Sequence, residues 1–233
     1  MTPGYAARVR RLQCAFRRVG LVIALLVVAT MSLSWGPAAT AAPAAPTGAR
    51  EQRTVLVIGD SLSAAYGLAA EQGWVSMIRR KIEQERPGWR VVNASVSGET
   101  TAGGAARIVD AVARHRPDVV VIALGANDGL RGLPPRQMRI NLARMIGAAH
   151  GAGAEVLLVG MRMPPNLGAA YTREFEQSYR DLAERFDTAL LPFLLEPIAL
   201  DRASYQGDNL HPNAAAQPKL RDHVWQALEP LLR

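Results

Sequence analysis

Short runs of aliphatic and β-branched residues alternate along the chain with longer stretches in which apolar positions recur every three or four residues. Thr54 to Ile58, Val91 to Ala94, Val119 to Leu124, Val156 to Val159 and Ala189 to Leu191 are continuous apolar runs of strand length. Continuity rather than alternation predicts strands covered on both faces, as in a parallel sheet. Between them, Trp74 to Glu85, Thr101 to His115, Arg136 to His150, Arg173 to Phe186 and Asn213 to Leu232 carry helical spacing, and Pro87, Pro117, Gly151 and Gly153 stand where helices stop. Strand and helix in repeated alternation predict an α/β fold, a three-layer α/β/α sandwich around a five-stranded parallel sheet, doubly wound in the flavodoxin-like manner. In such a sheet the ligand crevice opens at the carboxyl ends of the strands.

Ahead of the first strand the pattern changes. Arginines up to Arg18, an apolar run from Val19 to Ala29 and a small-residue stretch at Ala39-Thr40-Ala41 follow one another as the three parts of a secretory signal do. The apolar run is shorter than the ~20 residues of a spanning helix. Residues 1–41 therefore read as a cleaved signal peptide, residues 42–53, rich in Ala, Pro, Thr and Gly, as a flexible linker, and residues 54–233 as one domain. The expected address is the periplasm or the medium, with no stable membrane insertion after cleavage.

Charge changes this picture little. The formal +7 is concentrated in the leader, where Arg8, Arg10, Arg11, Arg17 and Arg18 face no acidic residue; beyond it, 22 basic groups meet 20 acidic ones. A balance of +2 gives no argument for a nucleic-acid partner. The one cysteine, Cys14, lies in the same leader, so disulfides, thiolate metal sites and cysteine nucleophiles are excluded from the domain. With no histidine pair at ligand spacing and no carboxylate cluster, no metal and no cofactor are expected. The domain is expected to act as a monomer.

Chemistry is expected in the segments that follow the apolar runs: Gly59-Asp60-Ser61-Leu62-Ser63, Ser97-Gly98-Glu99-Thr100, Gly125-Ala126-Asn127-Asp128, and Asp208-Asn209-Leu210-His211-Pro212 before the last helix. A serine hydroxyl needs an adjacent base, usually a histidine oriented by a carboxylate. Ser61, His211 and Asp208 supply those types, and acid and base share one loop. The tetrahedral intermediate of acyl transfer needs donors already aimed at its oxygen. The Ser61 N–H at a helix entrance, the Gly98 N–H and the Asn127 amide are suitable. His115 and His150 fall in the last turns of helices and His223 inside the final one, which leaves His211 as the histidine of a strand-end loop. Asp201 is a rival acid to Asp208, but no spacing ties it to His211.

These four segments resemble the four conserved blocks of the SGNH (GDSL) hydrolases, in the family's order. Residues 92–98, 125–132 and 190–193 are similar to its bacterial periplasmic thioesterase, lysophospholipase and arylesterase branch. The resemblance spans about residues 54–232. It implies Ser61 as nucleophile, His211 as base and Asp208 as its orienter, with Gly98 and Asn127 completing the oxyanion hole around the Ser61 N–H. Two departures stand out: the branch usually carries glycine where this chain has Ala65, and Gly-Gly where it has Gly125-Ala126. The apolar loops at 129–135 and 161–170 are the expected acyl groove, with Leu130, Leu133, Met163 and Pro165 on its wall. The expected partners are small acyl esters or thioesters. A carbohydrate O-deacetylase using the same triad and a binding module with an inert Ser61 remain open at this stage.

Overall fold

The computed structural model describes residues 52–233. The expected signal peptide, with Cys14, and nearly all of the expected linker lie outside the described residues. Five parallel strands, β1 (Arg53–Gly59), β2 (Trp89–Asn93), β3 (Val119–Ala123), β4 (Glu155–Val159) and β5 (Ala189–Leu191), form one sheet in the order β2-β1-β3-β4-β5. The register sets Val55 beside both Val91 and Val119, Val120 beside Val156, and Leu158 beside Leu190.

Successive side chains of a strand point to opposite faces. Val55, Val57, Val119 and Val121 pack on one side against α1 (Trp74–Glu85) and α6 (Gln217–Leu228). Leu56, Ile58, Val120 and Ile122 pack on the other against α2 (Thr101–His115), α4 (Pro135–Gly151) and α5 (Ala169–Phe186). Both faces are covered, which is the physical reason that the central runs 55–58 and 119–123 are apolar at every position, whereas the edge strand β2 carries exposed Arg90 and Asn93. The chain leaves β1 for β2 at one edge and returns to β3 on the other side of β1. The crevice of a doubly wound sheet therefore opens where the carboxyl ends of β1 and β3 meet.

Three local expectations are corrected. No helix starts at Ser61; residues 61–67 form consecutive turns, with the Ala64 N–H bonded to the Asp60 carbonyl and the Tyr66 N–H to that of Ser61. The stretch after β3 is not all loop, since α3 (Ala126–Leu130) is a short helix entered from Gly125 at φ +123°. The last helix is not continuous over 213–232. It is α6 flanked by single 3-10 turns at Ala214–Ala216 and Glu229–Leu231. Pro218 lies in the first turn of α6, where no N–H is needed, and Pro230 cannot donate the bond that would extend it. Among the described residues no helix is long and apolar enough to cross a membrane.

Candidate active site

Ser61 lies just past the carboxyl end of β1, in a turn fastened from several elements. The buried Asp60 carboxylate accepts the Leu62 N–H at 3.0 Å. The Trp74 indole N–H of α1 donates to the Leu62 carbonyl at 3.1 Å. Asn93, the last residue of β2, donates its amide to the Ser63 carbonyl at 2.9 Å. Ala65 takes a left-handed φ of +59° in this turn. That conformation is open to glycine without steric cost, so Ala65 holds a position that a glycine would take more easily.

His211 reaches Ser61 from a loop far away in sequence. Its Nε2 stands 2.9 Å from the Ser61 Oγ, and its Nδ1 stands 2.7 Å from Asp208 Oδ2. With the proton on Nδ1 donated to Asp208, Nε2 is free to accept the serine hydroxyl proton. Asp208 Oδ1 accepts the N–H groups of Leu210 and His211 at 2.9 and 3.0 Å. The bond from His211 and then these two N–H groups pull the Asp208 carboxyl down to about 2, so it is ionised at neutral pH. Asp201, the rival acid, instead caps a turn through the Ala203 N–H and bonds Ser204 and Lys219.

Two residues outside the motif blocks hold this loop. The Gln206 N–H donates to the His211 carbonyl at 2.8 Å, and its side-chain amide donates to the Tyr66 carbonyl at 2.8 Å. The histidine loop is thereby tied to the serine turn. A Cβ at Gly67, whose φ is +74°, would come within 2.2 Å of the Gln206 Oε1, so the tie also requires glycine there. The Tyr66 ring lies against the His211 ring, centroids 4.5 Å apart. No spacing rule points to either residue, because the contacts are made only on folding.

Three donors border the same cavity. Ser61, Gly98 and Asn127 all line it, and the N–H groups of Ser61 and Gly98 have no acceptor among the described residues. Gly98 sits at φ +78° with open space where a Cβ would be. The Asn127 amide donates to the Glu99 carbonyl at 3.0 Å and makes a long contact of 3.5 Å to Asp60 Oδ2. The neighbouring Asp128, buried, accepts the Thr101 N–H at 2.8 Å and the Thr101 hydroxyl at 2.5 Å. This pair clamps α3 to the start of α2 and fixes the level of Asn127.

The cavity has a volume of about 820 Å³. Leu130 and Met163 line it as expected, whereas Leu133 and Pro165 do not. Leu133 instead offers its carbonyl to the Tyr171 hydroxyl at 2.8 Å, and Pro165 begins an exposed 3-10 turn, leaving Pro164 on the wall. Met161 of the same loop also lines it, and more of the apolar wall comes from segments not assigned to the groove in the sequence, through Phe193, Leu195, Leu200 and Leu210. Among the described residues no group of three or more His, Cys, Asp or Glu side chains is placed to hold a metal ion.

Burial pushes the Asp60 carboxyl up to about 6, against the Leu62 N–H and the field of His211, which pull it down. A carboxyl with a raised pKa keeps its proton longer in the folded than in the unfolded chain. Its contribution to stability is therefore full below the ordinary 3.8 and is lost as pH rises through 6. Relative to Asp60→Asn, the protein is expected to lose about 3 kcal/mol between about pH 4 and pH 7. Urea unfolding of both proteins across that range checks it; a pH-independent difference would overturn the assignment.

Comparison with known proteins agrees with this geometry. Residues 57–217 match the GDSL-like Lipase/Acylhydrolase family. The chain is 48% identical over 180 residues to Esterase TesA of Pseudomonas aeruginosa, covering 77% of this chain and 90% of that protein. It is 40% identical over 179 residues to the Thioesterase 1/protease 1/lysophospholipase L1 of Escherichia coli, covering 77% and 85%. The crystal structure of the psychrotrophic esterase EstA from Pseudoalteromonas sp., inhibited by monoethylphosphonate, is similar with a TM-score of 0.74 at 38% identity, covering 77% of this chain and 98% of that one. A doubly wound sheet, four motif blocks gathered at one crevice and relatives matched over most of their length lead to one statement: the chain belongs to the GDSL-like lipase/acylhydrolase family.

Proposed function

We propose that this protein hydrolyses carboxylic esters and thioesters of apolar acyl chains through a covalent intermediate on Ser61. The observation that carries the reading is the relay from Ser61 Oγ to His211 Nε2 at 2.9 Å and from His211 Nδ1 to Asp208 at 2.7 Å, opening on an apolar-walled cavity. His211 takes the hydroxyl proton as Ser61 attacks the acyl carbon, and the developing imidazolium is balanced by ionised Asp208. The former carbonyl oxygen, now negative, is received by the N–H groups of Ser61 and Gly98 and by the Asn127 amide. Collapse expels the alcohol or thiol, which leaves with the proton held on His211. Water then attacks the acyl-enzyme by the same route, releasing the carboxylic acid and restoring Ser61. Leu130 and Met163 would flank the chain of the bound acyl group. The names of the relatives, esterase, thioesterase and lysophospholipase, support this range of leaving groups.

We also propose that the protein is exported and cut near Ala41 or Ala42. One experiment addresses both proposals. The protein recovered from expressing cells is treated with a fluorophosphonate, and the intact mass and the modified peptide are read by mass spectrometry. The expected result is a chain starting after residue 41 or 42 with one adduct, on Ser61. Folded protein without an adduct would overturn the hydrolase reading, and retention of Met1 to Arg18 would overturn export. A panel of p-nitrophenyl esters of increasing chain length then ranks the acyl preference.

A further inference from the structure

Large apolar side chains left in water are informative when they gather in one place. Tyr66, Leu130 and Leu210 are about half exposed and Leu200 is fully exposed, and all four border the mouth of the Ser61 cavity. They come from four separate segments, so no single loop accounts for the gathering. Leu200 has no packing role at full exposure, and its place on a catalytic rim gives it another. Cationic groups stand on the same rim. Arg202 lines the cavity and donates from Nε to Asn209 Oδ1 at 3.2 Å; Arg131 follows Leu130 and donates to the Gly98 carbonyl at 3.0 Å. Neither forms an ion pair among the described residues. The nearby Asp208 carboxylate is already held by His211.

We propose that this rim docks the protein reversibly on an anionic lipid surface, so that acyl esters pass from the lipid layer into the cavity without crossing water. The proposal rests on the hydrolase reading for its purpose, but docking is a separate property. Leucine and tyrosine side chains enter the interfacial layer, while Arg131 and Arg202 meet lipid phosphates. Each basic group near an anionic surface strengthens partition by about 5-fold, and each leucine moved from water to the lipid boundary by about 10-fold or more. An open mouth with half-exposed walls suits a substrate that slides in along its length.

The test uses the protein as recovered from expressing cells, carrying Ser61→Ala so that binding is measured without turnover. Flotation with phosphatidylglycerol vesicles is expected to carry the protein, with partition onto phosphatidylcholine vesicles about 10-fold or more weaker. Leu200→Asp is expected to reduce partition by about 10-fold or more, and Arg202→Gln by about 5-fold. Val109→Asp, at an exposed apolar residue of α2 that does not line the cavity, is expected to leave it unchanged. Because Leu200 and Arg202 are exposed, these changes do not disturb the core. Parental partition by Leu200→Asp, equal partition onto both vesicle types, or an equal loss with Val109→Asp would overturn the proposal. So would a dimer in sedimentation with no vesicle binding, which would show that the rim meets a second copy. A Ser61 adduct on the parent protein with no flotation of the Ser61→Ala variant removes docking alone; flotation of the variant with no adduct on the folded parent removes the hydrolase reading alone.

Discussion

Ser61→Ala is expected to lower kcat by roughly 10⁴- to 10⁶-fold while leaving KM within a few-fold of the parent. In the proposed reaction the hydroxyl oxygen forms the new bond, and no other serine, threonine or cysteine stands at hydrogen-bond distance from the His211 Nε2 among the described residues. His211→Ala should cost about as much, because without the imidazole the hydroxyl proton has no acceptor in reach. The double variant should be little worse than either single one. Residues that act in one step fail together, so their losses do not multiply. Asp208→Asn should be milder than Ser61→Ala by about 10²-fold. An asparagine can keep an oxygen for the Leu210 and His211 N–H groups, yet its amide would face Nδ1 with a donor and favour the wrong tautomer. Steady-state kinetics on the four proteins check this, and multiplicative losses in the double variant would overturn a shared step. Residual activity in these variants would come from the oxyanion donors and the cavity, which the substitutions leave in place.

The relay was legible in part because acid and base are local. Asp208 and His211 are three residues apart in one loop, so their types and spacing already suggest contact, and the 2.7 Å bond follows from that loop's own geometry. The 150-residue link from His211 to Ser61 could be read only through the fold. Once apolar runs buried on both faces predict a parallel sheet, the carboxyl ends of its strands must share a crevice. Features fixed by side chains meeting across loops were not legible. Gln206 ties the two catalytic loops together and Tyr66 packs on His211, yet neither stands in a periodic or motif context. The cavity wall shows the same limit: the loops near Leu130 and Met163 could be named, but whether Leu133 and Pro165 faced the cavity depended on local backbone direction. Short helices were also hidden. The five residues of α3 are too few to show a period, and Pro218 and Pro230, which mark the two ends of α6, were outweighed by apolar spacing that continued past them.

Asn127→Ala is expected to lower kcat by about 10²- to 10³-fold with KM nearly unchanged, a loss of roughly 3 to 4 kcal/mol of transition-state stabilisation. One amide hydrogen is committed to the Glu99 carbonyl at 3.0 Å, which fixes the plane of the side chain. The other makes only the 3.5 Å contact to Asp60, too long to hold it, and is the one available to an oxygen entering the cavity. That oxygen is a weak acceptor in the neutral ester and a strong one once it carries charge. The interaction therefore grows between ground state and transition state and acts on kcat rather than KM. Loss of the Glu99 bond alone predicts something different, a destabilisation of about 1 kcal/mol and a fall of about 2 to 4 °C in Tm, with each folded molecule still turning over normally. Kinetics and thermal unfolding measured on the same preparation separate the two roles. A large fall in kcat in a protein that melts within a few degrees of the parent is the expected outcome. Near-normal kcat in a destabilised protein would leave Asn127 as a turn-forming residue and assign the oxyanion to the N–H groups of Ser61 and Gly98 alone.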